Sequence, residues 1–167
     1  MRVLIPEQLT ADAFADFGDV IQTGEAYELI NRGTTRQFAD LAGIDVAADA
    51  GRPRISIYRT RPYELPLTIA MLERHPLSSQ FFMPLHGEPF LIVVASAGKN
   101  PDASAVCAFV TNGRQGINYH RGTWHHPLIA LSDPSEFLVI DRAGQGNDCD
   151  EYFFGDDAIL LQPSALR

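Results

Sequence analysis

Short apolar runs alternate with turn-forming residues along most of the chain. Runs of aliphatic, aromatic and β-branched residues separated by Gly, Pro, Asn or Asp are typical of strands joined by turns. The predicted strands are DVIQ, YELIN, RQFADL, RISIYRT, LTIAMLERH, QFFMPL, FLIVVAS, VCAFVT, LIALS and EFLVIDR. Only LTIAMLERH also fits a helical pattern, but prolines lie on both sides of it. So many short strands predict an all-β sandwich or barrel.

One segment ahead of these strands has a helical pattern. In TADAFADFG, residues 10–18, Thr10 is suited to cap the first turn and Gly18 is suited to follow the last. We therefore expect one short N-terminal helix. The chain contains no internal repeat, low-complexity segment or flexible linker, so a single domain over residues 1–167 is expected.

Composition and charge exclude several classes of function. The net charge of −8 argues against binding to nucleic acid, which requires Lys and Arg to neutralise phosphates. No apolar run approaches the ~20 residues of a membrane-spanning helix. The opening MRVLIPEQLTADAF has too short an apolar run for a signal peptide. We therefore expect a cytoplasmic protein without a membrane partner, with both cysteines reduced.

Polar residues interrupt two of the apolar regions. Because side chains alternate along a strand, Glu73 and His75 share one face, whereas His125 and His126 face opposite sides. We predict that His125 faces a pocket together with Glu73, His75 and Gln80, and that His126 faces away. Each residue alone also has an ordinary explanation, as a solvent-facing pair or a polar start of a strand. The combination of the two regions is what indicates a site inside a closed barrel.

The spacing of these polar residues resembles the two cupin motifs. Glu73-x-His75-x4-Gln80-x6-Gly87 is similar to the first motif, in which two histidines, a glutamate and a glycine hold these places. Gly122-x2-His125 is similar to the glycine and histidine of the second. The chain departs from the motifs at three positions: Glu73 replaces a histidine, Gln80 replaces the glutamate, and His120 stands where proline is usual.

Longer strings resemble one family over nearly the whole chain. The strings are LPLTIAMLERHPLSSQFFMPL, FVTNGRQGINYHRGTWHHPL and FLVIDRAGQGNDCDE, with FADFGDVI and INRGTTRQFADL nearer the N-terminus. They are similar to the ureidoglycolate lyases of allantoin degradation, formerly called ureidoglycolate hydrolases. The resemblance implies a cupin-type jelly-roll β-barrel, usually a homodimer, that splits (S)-ureidoglycolate into glyoxylate and urea.

That reaction can be matched to residue types in the chain. Ureidoglycolate carries a hydroxyl, a carboxylate and a urea nitrogen on one carbon, so cleavage needs a base, an acid and donors for the carboxylate. His75, His125 and Glu73 are the catalytic candidates. The candidates for substrate binding flank the same two regions and are Gln80, Tyr119, His120, Arg121, Trp124 and Arg142. Either Arg121 or Arg142 could hold the carboxylate, and either could instead be a surface residue.

A divalent metal is a further possibility for the same residues. Glu73, His75, Gln80 and His125 could together hold Ni²⁺, Mn²⁺ or Zn²⁺, although an amide is a poor ligand. The family resemblance favours nickel. In the alternative, the same side chains act without a metal as acid, base and hydrogen-bond donors. No organic cofactor is expected.

Two other functions remain open from the sequence. A hydrolase would release ammonia and carbon dioxide from ureidoglycolate rather than urea. A non-catalytic cupin would bind a small acid without turnover. Product analysis separates the three.

Overall fold

The computed structural model describes residues 1–163, so residues 164–167 of the predicted domain lie outside it. In this range the one α-helix, α1, is Ala11–Phe14, and short 3-10 turns occur at Asn31–Gly33, Ala48–Ala50, Ala103–Ala105 and Gly155–Asp157. The strands are β1 Arg2–Leu4, β2 Glu7–Gln8, β3 Gly18–Ile21, β4 Glu28–Ile30, β5 Thr35–Gln37, β6 Arg52–Thr60, β7 Leu67–Ile69, β8 Met71–Arg74, β9 Gln80–Pro84, β10 Phe90–Ala95, β11 Cys107–Val110, β12 Gly116–Tyr119, β13 Trp124–His125, β14 Ile129–Ala130, β15 Ser135–Ala143, β16 Asp150–Phe153 and β17 Ile159–Leu161. No helix among residues 1–163 has the length and apolarity needed to span a membrane.

The predicted all-β, cupin-like architecture with a short N-terminal helix is confirmed. The helix is shorter than predicted. Thr10 does cap it, accepting from the backbone N–H of Ala13 at 3.2 Å, but the helix ends at Phe14. Gly18 begins β3 instead of closing the helix, and a Cβ there would lie 2.2 Å from the carbonyl oxygen of Asn118. Close pairing with β12, rather than helix termination, therefore accounts for this glycine.

Two sheets supply most of the structure. The larger has the order β16-β8-β13-β10-β11-β2, with β14 also paired to β10. The second has the order β3-β12-β9-β15-β6, so that β6 is an edge strand. A three-stranded sheet, β1-β17-β7, and the hairpin β4-β5 complete the described strands. LTIAMLERH is not helical: it forms β7 and β8, which belong to different sheets.

Strand β10 lies between two hydrophobic cores, which explains its continuous apolar sequence. Phe90, Ile92 and Val94 pack with aromatic side chains of the five-stranded sheet in one core. The alternate residues, 91, 93 and 95, pack in a second core with β7 and β17. Because the two faces of β10 are buried in different cores, polar side chains on β8 and β13, in the same sheet, are held on a rigid support.

Candidate active site

Three polar side chains predicted to cooperate are brought together at one end of the two large sheets. His125 on β13 is the register partner of Glu73 on β8, and His75 follows the end of β8. Glu73 Oε1 lies 3.5 Å from His125 Nε2 and 4.0 Å from His75 Nε2. One ligand atom from each residue falls within 4.8 Å of the others. We call Glu73, His75 and His125 the polar cluster.

A tight turn at residues 120–123 joins β12 to β13, the strand that carries His125. The backbone N–H of Thr123 donates to the carbonyl of His120 at 3.1 Å, and Gly122 has φ of +79°. Glycine adopts this conformation without the strain that other residues meet. The N–H of Gly122 then donates to the carbonyl of His75 at 2.9 Å. The turn therefore links the segment that carries His125 to the backbone of His75 through Gly122, the glycine of the second motif.

Backbone carbonyls orient both imidazoles of the polar cluster. The Nδ1 of His75 lies 2.5 Å from the carbonyl oxygen of Asp148, and the Nδ1 of His125 lies 3.0 Å from that of Thr123. A carbonyl can only accept, so a neutral imidazole in this position carries its proton on Nδ1. Its Nε2 lone pair then faces the cluster. Both Nε2 atoms are buried without a hydrogen-bond partner in the described structure.

Charges in the polar cluster favour a cation at its centre. Burial lowers the pKa of His125, so that this ring is neutral at neutral pH. Burial by itself would raise the pKa of Glu73, but the influence of the neighbouring His125 and His75 outweighs it and lowers that pKa. An ionised carboxylate thus faces two nitrogen lone pairs, an arrangement that a divalent cation would satisfy. The three side chains fit a metal site on this evidence.

The polar cluster borders a cavity of about 850 Å³. Glu73, His75 and Gln80 line one side of it, and the Gln80 Oε1 is buried without a partner. His125 is 2% exposed and does not line the cavity; it reaches Glu73 from behind. Its predicted position is therefore refined: it belongs to the cluster but lies deeper than the pocket wall.

Four residues predicted to bind substrate lie away from this cavity. Tyr119 stacks on the His125 ring, with centroids 4.2 Å apart, and so supports the cluster from the core. His120 pairs with Asp19 on the surface, and Arg121 with Asp45. The Trp124 N–H donates to the carbonyl of Gly98, and its ring packs in the other core. Strand alternation explains the position of Trp124, which faces the side opposite to His125. His120 and Arg121 lie in the turn between β12 and β13 and point to the surface.

His126 also faces away from the polar cluster. Its ring packs edge-on against Tyr63, with centroids 5.8 Å apart, and its Nδ1 lies 2.8 Å from the carbonyl oxygen of Pro127. It is 8% exposed and is not among the residues that line the cavity. The geometry agrees with the predicted alternation of His125 and His126.

Arg142 lies at the cavity, but three of its five N–H donors are already used, those of Nε and Nη2. The Nε and Nη2 atoms donate to the carbonyl of Ala48 at 3.1 and 2.9 Å. The Nη2 also donates to the carbonyls of Asp49 and Gln145 at 3.3 and 2.8 Å. The residue is 6% exposed. These contacts give Arg142 a structural role, holding two loops together, and leave only Nη1 for the carboxylate binding that stays a prediction for this residue.

Replacing Arg142 by methionine is therefore expected to act on stability. Three backbone carbonyls would lose a charged donor in a buried site, at a cost of about 2–4 kcal/mol in the free energy of unfolding. Chemical denaturation measures this, with the exposed Arg114→Met as the matched control. A variant as stable as the unchanged protein, with a raised KM instead, would restore the carboxylate-binding role.

The polar residues at the cavity that the sequence patterns missed include Arg54 and Tyr58 on β6, and Asp141 on β15. Arg54 donates to both oxygens of Asp141 at 2.8 Å. A usable signal was present. Asp141 shares its strand parity with the apolar Phe137 and Val139, which is unusual for a charged residue. Arg54 gave no such signal, because its parity on β6 also carries Arg52 and Ser56.

Comparison with known proteins identifies the family of the chain. The chain is 53% identical to the ureidoglycolate lyase of Pseudomonas syringae pv. syringae strain B728a, with 100% of this chain and 99% of that protein covered. It is 55% identical to the ureidoglycolate lyase of Stutzerimonas stutzeri strain A1501, with 99% of each covered. The sequence model of the family described as ureidoglycolate lyase matches residues 1–161. The chain belongs to the ureidoglycolate lyase family.

Proposed function

We propose that the protein is a carbon–nitrogen lyase that cleaves (S)-ureidoglycolate to glyoxylate and urea. The observation that carries this is identity above 50%, over the full length, to relatives named ureidoglycolate lyase. The polar cluster at the cavity supports it, because an ionised carboxylate beside two imidazoles can move a proton without a nucleophile. Cleavage requires no covalent intermediate.

Glu73 has the position of a proton carrier for this reaction. Its Oε1 faces the two histidines, whereas its Oε2 lies on the side of Cys149, with Sγ at 4.0 Å. Oε2 accepts the proton of the substrate hydroxyl as the carbonyl of glyoxylate forms. The electron pair of the breaking carbon–nitrogen bond goes to nitrogen, which takes the proton back from Glu73. Protons balance, and the carboxylate is regenerated.

Glu73, His75 and His125 would hold a divalent metal, with the side-chain oxygen of Gln80 as a fourth ligand, and nickel is our first choice among Ni²⁺, Mn²⁺ and Zn²⁺. A bound metal would lower the pKa of the substrate hydroxyl. The histidines hold their Nε2 atoms toward that position through the Nδ1 contacts described above. Asp148 contributes by its backbone carbonyl, and its carboxylate accepts from the N–H of Leu77 at 2.7 Å, which fixes the loop after His75.

Product analysis tests the proposed function. Purified protein is expected to release urea and glyoxylate in equal amounts from (S)-ureidoglycolate, while the opposite enantiomer decays only at its spontaneous rate. Enzymatic urea and glyoxylate assays on each enantiomer measure this. Ammonia and carbon dioxide in place of urea would assign the hydrolase reaction. Binding of ureidoglycolate without any product would assign a non-catalytic acid-binding protein.

We also propose that the protein is a homodimer, on the basis of one apolar sheet face. The outer face of the five-stranded sheet carries two rows in register, Ile57–Leu138–Met83 and Ile55–Ile140–Phe81. Ile55 and Ile57 are 72% and 55% exposed on the edge strand β6. A contiguous apolar patch beside a free strand edge is typical of a surface that pairs with a second copy.

Charge placed on this face is expected to separate the dimer. Ile55→Glu with Ile57→Glu would bring four carboxylates together across a two-fold axis, two from each copy. Light scattering at micromolar concentration is expected to give the mass of a dimer for the unchanged protein and of a monomer for this variant. Val3→Glu with Ile5→Glu, on a different exposed surface, is the control and is expected to remain dimeric. A monomeric unchanged protein would contradict the proposal.

The cytoplasm is our proposed compartment. Cys107 and Cys149 are both free in the structure. Reduced thiols are usual for cytoplasmic proteins, and disulfides are usual for secreted ones. Fractionation of the cells that make the protein tests the assignment.

A further inference from the structure

The cavity needs a group that recognises the carboxylate of a small acid, and arginine is the side chain best suited to it. Within residues 1–163, three arginines line the cavity: Arg54, Arg59 and Arg142. Arg142 is 6% exposed, and its Nε and Nη2 are bound to backbone carbonyls, so that only Nη1 is left. Arg59 donates to Glu136, and its side chain is 76% exposed. Arg59 also has odd parity on β6, so it lies on the face opposite to Arg54. Arg54 is therefore the arginine that keeps a whole edge of its guanidinium on the inner face of β6.

Arg54 is held in one orientation while half of its guanidinium remains free. Its register partner on β15 is Asp141, and Arg54 Nε and Nη2 each donate to one carboxylate oxygen of Asp141 at 2.8 Å. A guanidinium has five N–H groups arranged along two edges that can each engage a carboxylate. Asp141 occupies the Nε/Nη2 edge. Both N–H groups of Nη1 and one of Nη2 are left, and the Arg54 side chain is 52% exposed.

The strand pattern places Arg54 on the cavity side of the sheet. Arg54 and Tyr58 are four residues apart on β6 and therefore share a face. The Tyr58 ring packs edge-on against Phe82, which is buried between the sheets, with centroids 6.2 Å apart. Tyr58 Oη lies 3.5 Å from the Asp141 carboxylate. Burial raises the pKa of Tyr58, and the charge of Asp141 adds to this, so the hydroxyl stays protonated as a further donor.

We infer that Arg54, oriented by Asp141, binds the carboxylate of the substrate through its Nη1/Nη2 edge and makes the site selective for ureido acids over neutral ureas. The inference rests on the proposed function for the identity of the substrate. The carboxylate is held on the β6 and β15 side of the cavity. The carbon that bears the hydroxyl and the urea nitrogen is then directed toward Glu73 and His75, which line the cavity with Arg54.

Binding of two unreactive probes tests this without turnover. Ureidoacetate has the urea and carboxylate of ureidoglycolate but no hydroxyl, so it cannot be cleaved, and ethylurea has a methyl group in place of the carboxylate. Calorimetry is expected to show ureidoacetate binding weakened about 10- to 100-fold in Arg54→Met, because a charged two-bond contact is lost. Ethylurea binding is expected to be unchanged. Arg52→Met removes the same charge from the same strand outside the cavity lining and is expected to bind both probes normally.

Three results would overturn the inference. They are equal affinity of the unchanged protein for the two probes, unchanged ureidoacetate binding in Arg54→Met, and an equal loss of ureidoacetate binding in Arg52→Met. Arg54→Gln is a second neutral variant with the same expectation, should the methionine variant fold poorly. Urea release is measured separately: an unchanged protein that binds ureidoacetate through Arg54 but releases no urea would contradict the proposed function and leave this inference standing.

Discussion

His125→Ala is expected to lower turnover of ureidoglycolate by about 100-fold or more. The substitution removes an Nε2 atom 3.5 Å from the Glu73 carboxylate and also the ring on which Tyr119 stacks. The other imidazole of the cluster, His75, lies on the cavity side of Glu73 and so does not replace His125. Steady-state kinetics of urea release measure the effect.

His126→Ala is the matched control, one residue further along the chain. Its ring packs on Tyr63, which lines the cavity, but His126 itself does not line it. The change is therefore expected to cost about 0.5–3 kcal/mol of stability and to leave turnover of the folded protein nearly unaltered. Loss of turnover in a folded His126→Ala protein, with His125→Ala still active, would show that the register of β13 assigned here is wrong.

Glu73→Gln is expected to lower turnover by a similar factor, about 100-fold or more, while the protein remains folded. The amide has nearly the shape of the carboxylate but cannot accept and return a proton, and it binds divalent metal weakly. The rate of urea release at saturating substrate is the measurement. Circular dichroism and denaturation establish that the variant is folded.

Glu151→Gln is the control for Glu73. Glu151 is the register partner of Glu73 on β16, but it is exposed and does not line the cavity. It is expected to retain nearly full turnover. Equal losses in the two variants would indicate that the general negative charge at this end of the sheet matters, and would remove Glu73 from its assigned role as proton carrier.

Strand alternation was sufficient to predict which polar residues meet. Glu73 and His75 share a face by period two, and the glycine turn ahead of His125 was visible in the motif spacing. The convergence of these side chains in one cluster therefore follows from sequence. The continuous apolar run of β10 likewise identifies, from sequence, a strand with both faces buried, one in each core.

The choice of arginine could not be made from sequence because it depends on contacts distant along the chain. Arg142 is occupied by carbonyls of the loop at 48–49, some 93 positions away. Arg54 is oriented by Asp141, 87 positions away, across a strand pair that no local pattern specifies. The same limit applies to Tyr119 and Trp124: the sequence shows that they neighbour His125, but only the packing of the two sheets decides that they face the cores.

The depth of His125 was also not predictable. Alternation indicates the side of a strand but not the distance from the cavity, which the neighbouring strand β8 sets by placing Glu73 and His75 in front. At this depth the Nε2 of His125 lies 3.5 Å from the Glu73 carboxylate, while His125 does not line the cavity.

Paired measurement of metal content and urea release tests most directly whether the polar cluster is the metal-dependent active site of a ureidoglycolate lyase. Protein freed of metal with a chelator and checked by elemental analysis is expected to lose urea release from (S)-ureidoglycolate. Addition of Ni²⁺ is expected to restore urea release together with about one metal per chain in the unchanged protein, but not in His75→Ala. Full turnover by the metal-free protein would contradict this account.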